Sequence, residues 1–322
     1  MTDRTWIRGS AALLSVTLAM GLAACGSSSS NSSSGGGGST SSSGGSSSQP
    51  GKGKPPITLG DKNFTEEYIL GELYAQALRA KGYTVNVKSN IGSSEITDKA
   101  LTSGKIDLYP EYTGVIATEL AHKSDQPKSA EQTYQIAKQW ENGRGFELLN
   151  KTPFFDADGL AVLPAYAQKY GLKTAGDLKK VPSFRYGGPP ENKTRFQGVV
   201  GMKQVYKLNN LKFVPLSIGL QYPALDSKKI DVAAIFTTDP QLKGGKYTVL
   251  QDNKGIFGFQ NVAPVVSKKV LAKMGPDFTN TLNAVSAKLT NDAMITMNAA
   301  VALDKQKPAA VAKQFLQANG LL

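Results

Sequence analysis

The chain is poor in the residues that most often carry chemistry: its 322 residues include one cysteine, one histidine and two tryptophans. A single cysteine, Cys25, permits no disulfide within the chain and no Cys/His cluster of the kind that holds zinc. The single histidine, His122 in "ELAHKSDQ", has no Ser or Cys partner in a recognisable motif, so a histidine-based nucleophile has no support. It reads instead as the polar end of a helix or a loop. Neither a P-loop nor G-x-G-x-x-G occurs, and no calcium-type loop is present, so no cofactor and no metal is implied. After the first 25 residues no stretch approaches the roughly 18 apolar residues of a membrane span. The formal charge is +12, yet there is no basic helix and no nucleic-acid motif. The lysines are scattered, as on a solvated surface, and no nucleic-acid partner is expected.

What is present begins at the N-terminus. Residues 1–25 read "MTDRTWIRGSAALLSVTLAMGLAAC". Arg4 and Arg8 precede an apolar run from Ala11 to Leu22, and small residues lead into Cys25; this is a secretory signal. Its end, Leu22-Ala23-Ala24-Cys25, resembles the lipobox of bacterial lipoproteins, which implies cleavage before Cys25 and lipidation of its thiol. Residues 26–55 are mostly Ser and Gly. They bury too little to offset the entropy of ordering, and so read as a disordered tether. A lipid anchor followed by a leash places the folded part in the cell envelope, outside the cytoplasm, close to a membrane.

About 265 residues remain, enough for two lobes. "ITLGDKNF" opens with a strand at Ile57–Leu59. Asn63-Phe64-Thr65-Glu66 reads as a capping box, with Asn63 as N-cap. Ile69, Leu70, Leu73, Ala77 and Leu78 continue at helical spacing until Gly82. "YTVNVKSN" alternates as a strand, Ser93 or Ser94 opens a second helix, and Ile106 begins a third strand. The order βαβαβ predicts a parallel sheet covered by helices.

Two distant stretches match: "ALTSGKIDL" at 100–108 and "ALDSKKIDV" at 224–232. Each reads as a helix end, a turn and an entering strand. The first leads into "YPEYTG", the second into "AIFTTD", each with aromatic and hydroxyl groups. "DADGLAVLPAYAQKYG" and "FQNVAPVVSKKVLAKMG" form a second pair, each a strand followed by a helix, where the chain passes between lobes. The fold class is therefore α/β, with lobe one from 56–155 and 261–322 and lobe two from 156–260. The lobes form a clamshell joined by two hinge strands, with the carboxyl ends of the strands facing the cleft.

Several groups suit a ligand in that cleft. Lys62 and Asn63 sit at a helix start, where free N–H groups attract an anion. In "GGPPENKTRFQG" the glycines allow close backbone approach, and Arg195 can fork onto a carboxylate. Tyr112 and Phe236 end the matched strands and offer ring faces to a cation, with Thr113 and Thr237 beside them. Asp107 and Glu111 form a possible acidic pair for glycoside hydrolysis, but Asp107 occupies the same turn position as Asp231, which favours a structural role.

Taken in order, "DKNFTEEYILGELYAQAL", "DLYPEYTG", "DGLAV", "ENKTRFQG", "GLQYPALDSKKIDVAAIFTTD" and "NVAPVV" resemble the substrate-binding lipoproteins of osmoprotectant ABC importers, the glycine betaine/choline/carnitine group. The resemblance covers nearly everything after the tether. It implies a type II periplasmic-binding-protein fold and a cleft where aromatic rings surround a quaternary ammonium. It also implies delivery to an ABC permease driven by its ATPase, with no covalent chemistry. The family's ligand contacts fall on Lys62, Tyr112, Thr113, Val115, Asp156, Asp158, Arg195, Phe236 and Gln260. Asp158 and Gln260 stand where relatives often carry tyrosine, which implies a cationic or zwitterionic solute larger or more hydrogen-bonding than glycine betaine. A solute sensor without transport and a secreted hydrolase using acidic residues remain alternatives.

Overall fold

The computed structural model describes residues 49–122 and 127–322. The signal, Cys25 and the tether up to residue 48 lie outside the described residues.

Among the described residues, ten strands form two five-stranded sheets. In the first lie β1 (Ile57–Gly60), β2 (Val85–Lys88), β3 (Leu108–Tyr112) and β4 (Phe146–Leu148). The second takes β5 (Asp158–Val162), β6 (Phe184–Gly188), β7 (Leu211–Pro215), β8 (Val232–Phe236) and β9 (Thr248–Leu250). The last strand, β10 (Val262–Ser267), returns to the first sheet. The orders are β2-β1-β3-β10-β4 and β7-β6-β8-β5-β9, so each sheet is built to one plan. The two-lobed α/β expectation holds. The parallel pairing of β1, β2 and β3 expected from the βαβαβ order is present. Beyond it, β10 runs antiparallel to β3 and β4, and β5 antiparallel to β8 and β9. The reason is directional: both strands carry the chain into a lobe from the hinge, opposite to the strands that end at the cleft.

The repeated turn has a physical purpose. The Thr58 N–H donates to Asp107 Oδ2 at 2.7 Å, and the Arg185 N–H donates to Asp231 Oδ2 at 2.8 Å. Each aspartate thus ties its entering strand to the neighbouring parallel strand.

Helix α1 (Thr65–Ala80) buries Ile69, Leu70, Leu73, Tyr74 and Leu78. They pack with Phe278, Leu282, Val285, Met294 and Leu316 from the C-terminal helices in one core. Burial of apolar surface is the main stabilising term here, at about 25 cal/mol per Å². The chain is ordered slightly before the composition suggests. The buried Gly51 donates its N–H to the Lys81 carbonyl at 2.9 Å. A Cβ at Gly51 would stand 2.2 Å from the Tyr83 nitrogen, so only glycine fits this approach.

The crossings between lobes pair with each other. Phe155 bridges Asn261 in an antiparallel sense, the Asp156 N–H donates to the Gln260 carbonyl at 3.0 Å, and Asn261 Nδ2 donates to the Thr152 and Phe154 carbonyls. The hinge is therefore a short two-stranded ribbon.

Candidate functional site

A cavity lined by residues of both lobes lies between the sheets. Nine of the eleven binding residues expected from sequence line it: Lys62, Asn63, Tyr112, Val115, Asp156, Asp158, Arg195, Phe236 and Gln260. Thr113 and Thr237 do not. The Thr113 hydroxyl is turned away and donates to the Phe259 carbonyl at 3.4 Å. Thr237 accepts from the Ala157 N–H and donates to Asp156 Oδ1 at 3.3 Å, so it supports Asp156 instead.

The aromatic end holds three rings, one of them missed in the sequence. Phe64 lies parallel to Tyr112 (centroids 6.2 Å apart, 24°) and to Phe236 (5.8 Å, 15°), joining a ring of lobe one to a ring of lobe two. Phe64, not Asn63, is the N-cap residue of α1, and no side-chain cap is made. The expected capping box is not formed. Glu67 Oε2 instead reaches past the N-cap and accepts from the Lys62 N–H at 3.3 Å. A phenylalanine at the helix start, with no oxygen to cap it, was the available signal.

Glu66, freed from capping, is buried at the base of the cage. It accepts from the Tyr112 hydroxyl (2.7 Å), from the Thr238 hydroxyl across the cleft (2.7 Å) and from Asn298 Nδ2 (2.8 Å). These bonds fix the tilt of the Tyr112 ring. Burial still pushes the Glu66 carboxyl up.

Lys62 is neither a surface charge nor a free contact for a ligand carboxylate. Its side chain is 2% exposed, and its ammonium is paired with Glu111 and lies 3.4 Å from Glu67. It also sits 4.3 Å from the Tyr112 ring centroid. Burial, opposed by Lys62 and reinforced by Glu111, pushes Glu67 up to about 8. Glu111 is therefore part of a structural ion cluster, and Asp107 is bound to backbone. The acidic pair considered for hydrolysis does not line the cavity.

Arg195 is likewise engaged. Its Nε and a terminal nitrogen donate to the two oxygens of Glu95 at 2.9 and 3.0 Å, in the fork geometry anticipated for a ligand carboxylate. Glu95 belongs to helix α2 (Ser94–Thr102) of lobe one, so the pair latches the lobes. Burial opposes its charge, but Arg195 and the Ser93 hydroxyl hold the Glu95 carboxyl down at about 2. Glu119 of lobe one adds a second latch, accepting from the Phe196 and Gln197 N–H groups at 3.3 and 3.2 Å.

The remaining lining is acidic. Asp156 accepts from the Thr238 N–H at 2.9 Å; burial, then Glu66 and Asp239, push it well above the carboxylate range. Burial pushes Asp158 up to about 7 against the pull of Arg195, with Glu119 and Glu191 adding to the rise. Glu191 lines the same space. Gln260 spends its Oε1 on the Val115 N–H at 3.1 Å, leaving Nε2 buried without a partner. Gly114 makes room for it, since a Cβ there would meet Gln260 at 2.6 Å. Ring faces and carboxylates at one end, with an idle amide donor nearby, suit a cation that carries an acceptor. Ser93, Ser94, Pro189, Asn192 and Ile218 complete the walls and were not singled out in the sequence. His122 is exposed.

The family described as the substrate binding domain of ABC-type glycine betaine transport systems matches residues 55–318. A glycine-betaine-binding protein of Pseudomonas aeruginosa is 31% identical over 280 residues, covering 83% of this chain and 88% of that one. An ergothioneine transport permease/ergothioneine binding protein of Helicobacter pylori is 29% identical over 269 residues, 83% of this chain but 48% of the relative, so this chain spans about half of it. The crystal structure of a glycine betaine/carnitine/choline ABC transporter protein shares the fold at a TM-score of 0.65 and 24% identity, covering 82% of this chain and 99% of that one. The chain belongs to the family of substrate-binding domains of ABC-type glycine betaine transport systems.

Proposed function

We propose that this protein captures a quaternary-ammonium or related cationic or zwitterionic solute between its lobes, larger or more hydrogen-bonding than glycine betaine. The closed form then hands the solute to an ABC permease, whose ATPase powers import, and the binding protein does no covalent chemistry. The observation that carries this is the convergence of Phe64, Tyr112 and Phe236 on one cavity with Asp156 and Asp158. The rings take the cationic head, Asp158 takes an N–H or O–H of the body, and Gln260 Nε2 takes an acceptor atom.

Calorimetry against glycine betaine, choline, carnitine and ergothioneine tests this. A ring face contributes about 0.5–2 kcal/mol to a desolvated cation, so each ring absent at Asp158 or Gln260 handicaps bare glycine betaine by roughly tenfold. Solutes with a hydrogen-bonding body are expected to bind more tightly than glycine betaine by about that factor. Glycine betaine as the tightest ligand would sink the preference; no binding by any quaternary ammonium would sink the reading.

The lipobox and tether carry a second part of the proposal: Cys25 is lipidated and anchors the protein outside the cytoplasm. In a host that processes lipoproteins, Cys25→Ser is expected to move the protein out of the membrane fraction. A variant that stays in that fraction after a salt wash would show that something else holds it.

A further inference from the structure

Beyond the Phe64–Phe236 pair lies another cavity, of about 830 Å³. Both rings line both cavities, as do Asn63, Asp156 and Ile218, so the stacked pair is their common wall. The chemistry of this compartment is one-sided. Glu66, Asp156 and Asp239 contribute carboxylates, and among the described residues no lysine, arginine or histidine lines it. Two amide oxygens there have no hydrogen-bond partner, Asn298 Oδ1 and Gln241 Oε1. Asn298 is 5% exposed, and its Nδ2 is already committed to Glu66, so its oxygen is a buried acceptor held ready by a fixed amide. A buried acceptor left unmade costs about 1–3 kcal/mol, so the fold retains it at a loss unless a donor arrives.

A metal ion is a poor occupant, because among the described residues no three carboxylate, histidine or cysteine groups converge as ligands. An organic cation with N–H donors fits better, since it brings charge to the carboxylates and several donors to dispersed amide oxygens.

We propose that this compartment is a second cation subsite, taking an ammonium or guanidinium group on the arm of a solute whose head lies in the first cavity. The assignment rests on the cation reading of that first cavity, and it narrows the substrate class to cations bearing a second, hydrogen-bond-donating cationic group. The arm passes the edge of the Phe64–Phe236 pair beside Asp156, which faces both spaces. Burial raises Glu66, Asp156 and Asp239 alike, and repulsion from neighbouring carboxylates adds to the rise of Asp156 and Asp239.

The test compares propyltrimethylammonium with (3-aminopropyl)trimethylammonium by calorimetry. The amine-bearing probe is expected to bind at least tenfold more tightly. That advantage is expected to shrink at least threefold in Gln241→Leu, whose side chain lines only the second cavity, with propyltrimethylammonium unaffected. Asn298→Leu, checked for folding, is expected to remove most of it. Equal binding of both probes overturns the second subsite and leaves the first reading intact; so does an advantage that survives both variants. If neither probe binds, the cation reading of the first cavity fails, and guanidinium alone decides the second: a shift of the Asn298 side-chain amide resonance supports it, and no shift overturns it.

Discussion

Lys62→Met is expected to destabilise the protein by about 3–5 kcal/mol, a large part of the stability of an ordinary domain. The methylene stem is conserved, so the loss is electrostatic. Glu111 is fully buried, and without the ammonium its charge has no cation beside it. Glu67, already pushed up to about 8, cannot take over that role, because it too is a carboxyl. Adding Glu111→Gln is expected to restore most of the loss, since removing both partners avoids the stranded charge. Urea denaturation of the single and double variants checks this, with exposed Lys179→Met as the control. A midpoint for Lys62→Met no lower than for Lys179→Met would show that the buried cluster does not hold the α1 entry to β3.

The second large effect concerns ligand affinity and pH. Asp158, raised to about 7, is mostly neutral below that pH and charged above it. A cation is attracted only to the charged form. Affinity for the preferred cation is therefore expected to climb as pH rises from 6 to 8, with a proton released on binding near pH 7. Asp158→Asn is expected to flatten its share of the rise and to weaken binding at pH 8 by roughly ten- to a hundredfold, the value of one charged hydrogen bond in a desolvated site. Asp239, raised to about 6, contributes a lower step that the variant leaves in place. The free protein moves the other way. Its folded state keeps a proton on Asp158 that the unfolded chain, with its carboxyl near 3.8, gives up. Stability without ligand therefore falls as pH rises from about 4 to 7. Calorimetry in buffers of different ionisation enthalpy reads the released proton directly. A pH-independent dissociation constant between 5.5 and 8.5 in the unaltered protein would remove Asp158 from the site.

The division into lobes was legible because its signals are local. A helix end, a turn and an entering strand recur at 100–108 and 224–232, and the aspartate in each turn ties neighbouring strands. The antiparallel sense of β5 and β10 was not legible, since it depends on where the chain returns from. Most of the residues that line the candidate cavity were legible, but their electrostatics were not. Lys62 and Arg195 look in sequence like free cations, whereas each is matched by a distant carboxylate: Glu111 lies 49 residues from Lys62, and Glu95 lies 100 residues from Arg195. No periodicity or motif encodes such pairs. Phe64 escaped for the opposite reason: its neighbours supplied a familiar helix-start pattern that explained it away.

The position of β10 also sets the order in which the molecule can be completed. Lobe two is one uninterrupted stretch of chain, and its last strand ends at Leu250. The sheet of lobe one is finished only when Val262–Ser267 slides between β3 and β4, long after those strands have been made. As the chain leaves a ribosome or a translocation channel, β3 presents an open edge, and an open edge invites association with other chains. Closing it requires contacts across more than a hundred residues, a slow step for a growing polypeptide. The discontinuous lobe is thus the last to become native, and the interval before β10 arrives is when this protein most depends on assistance.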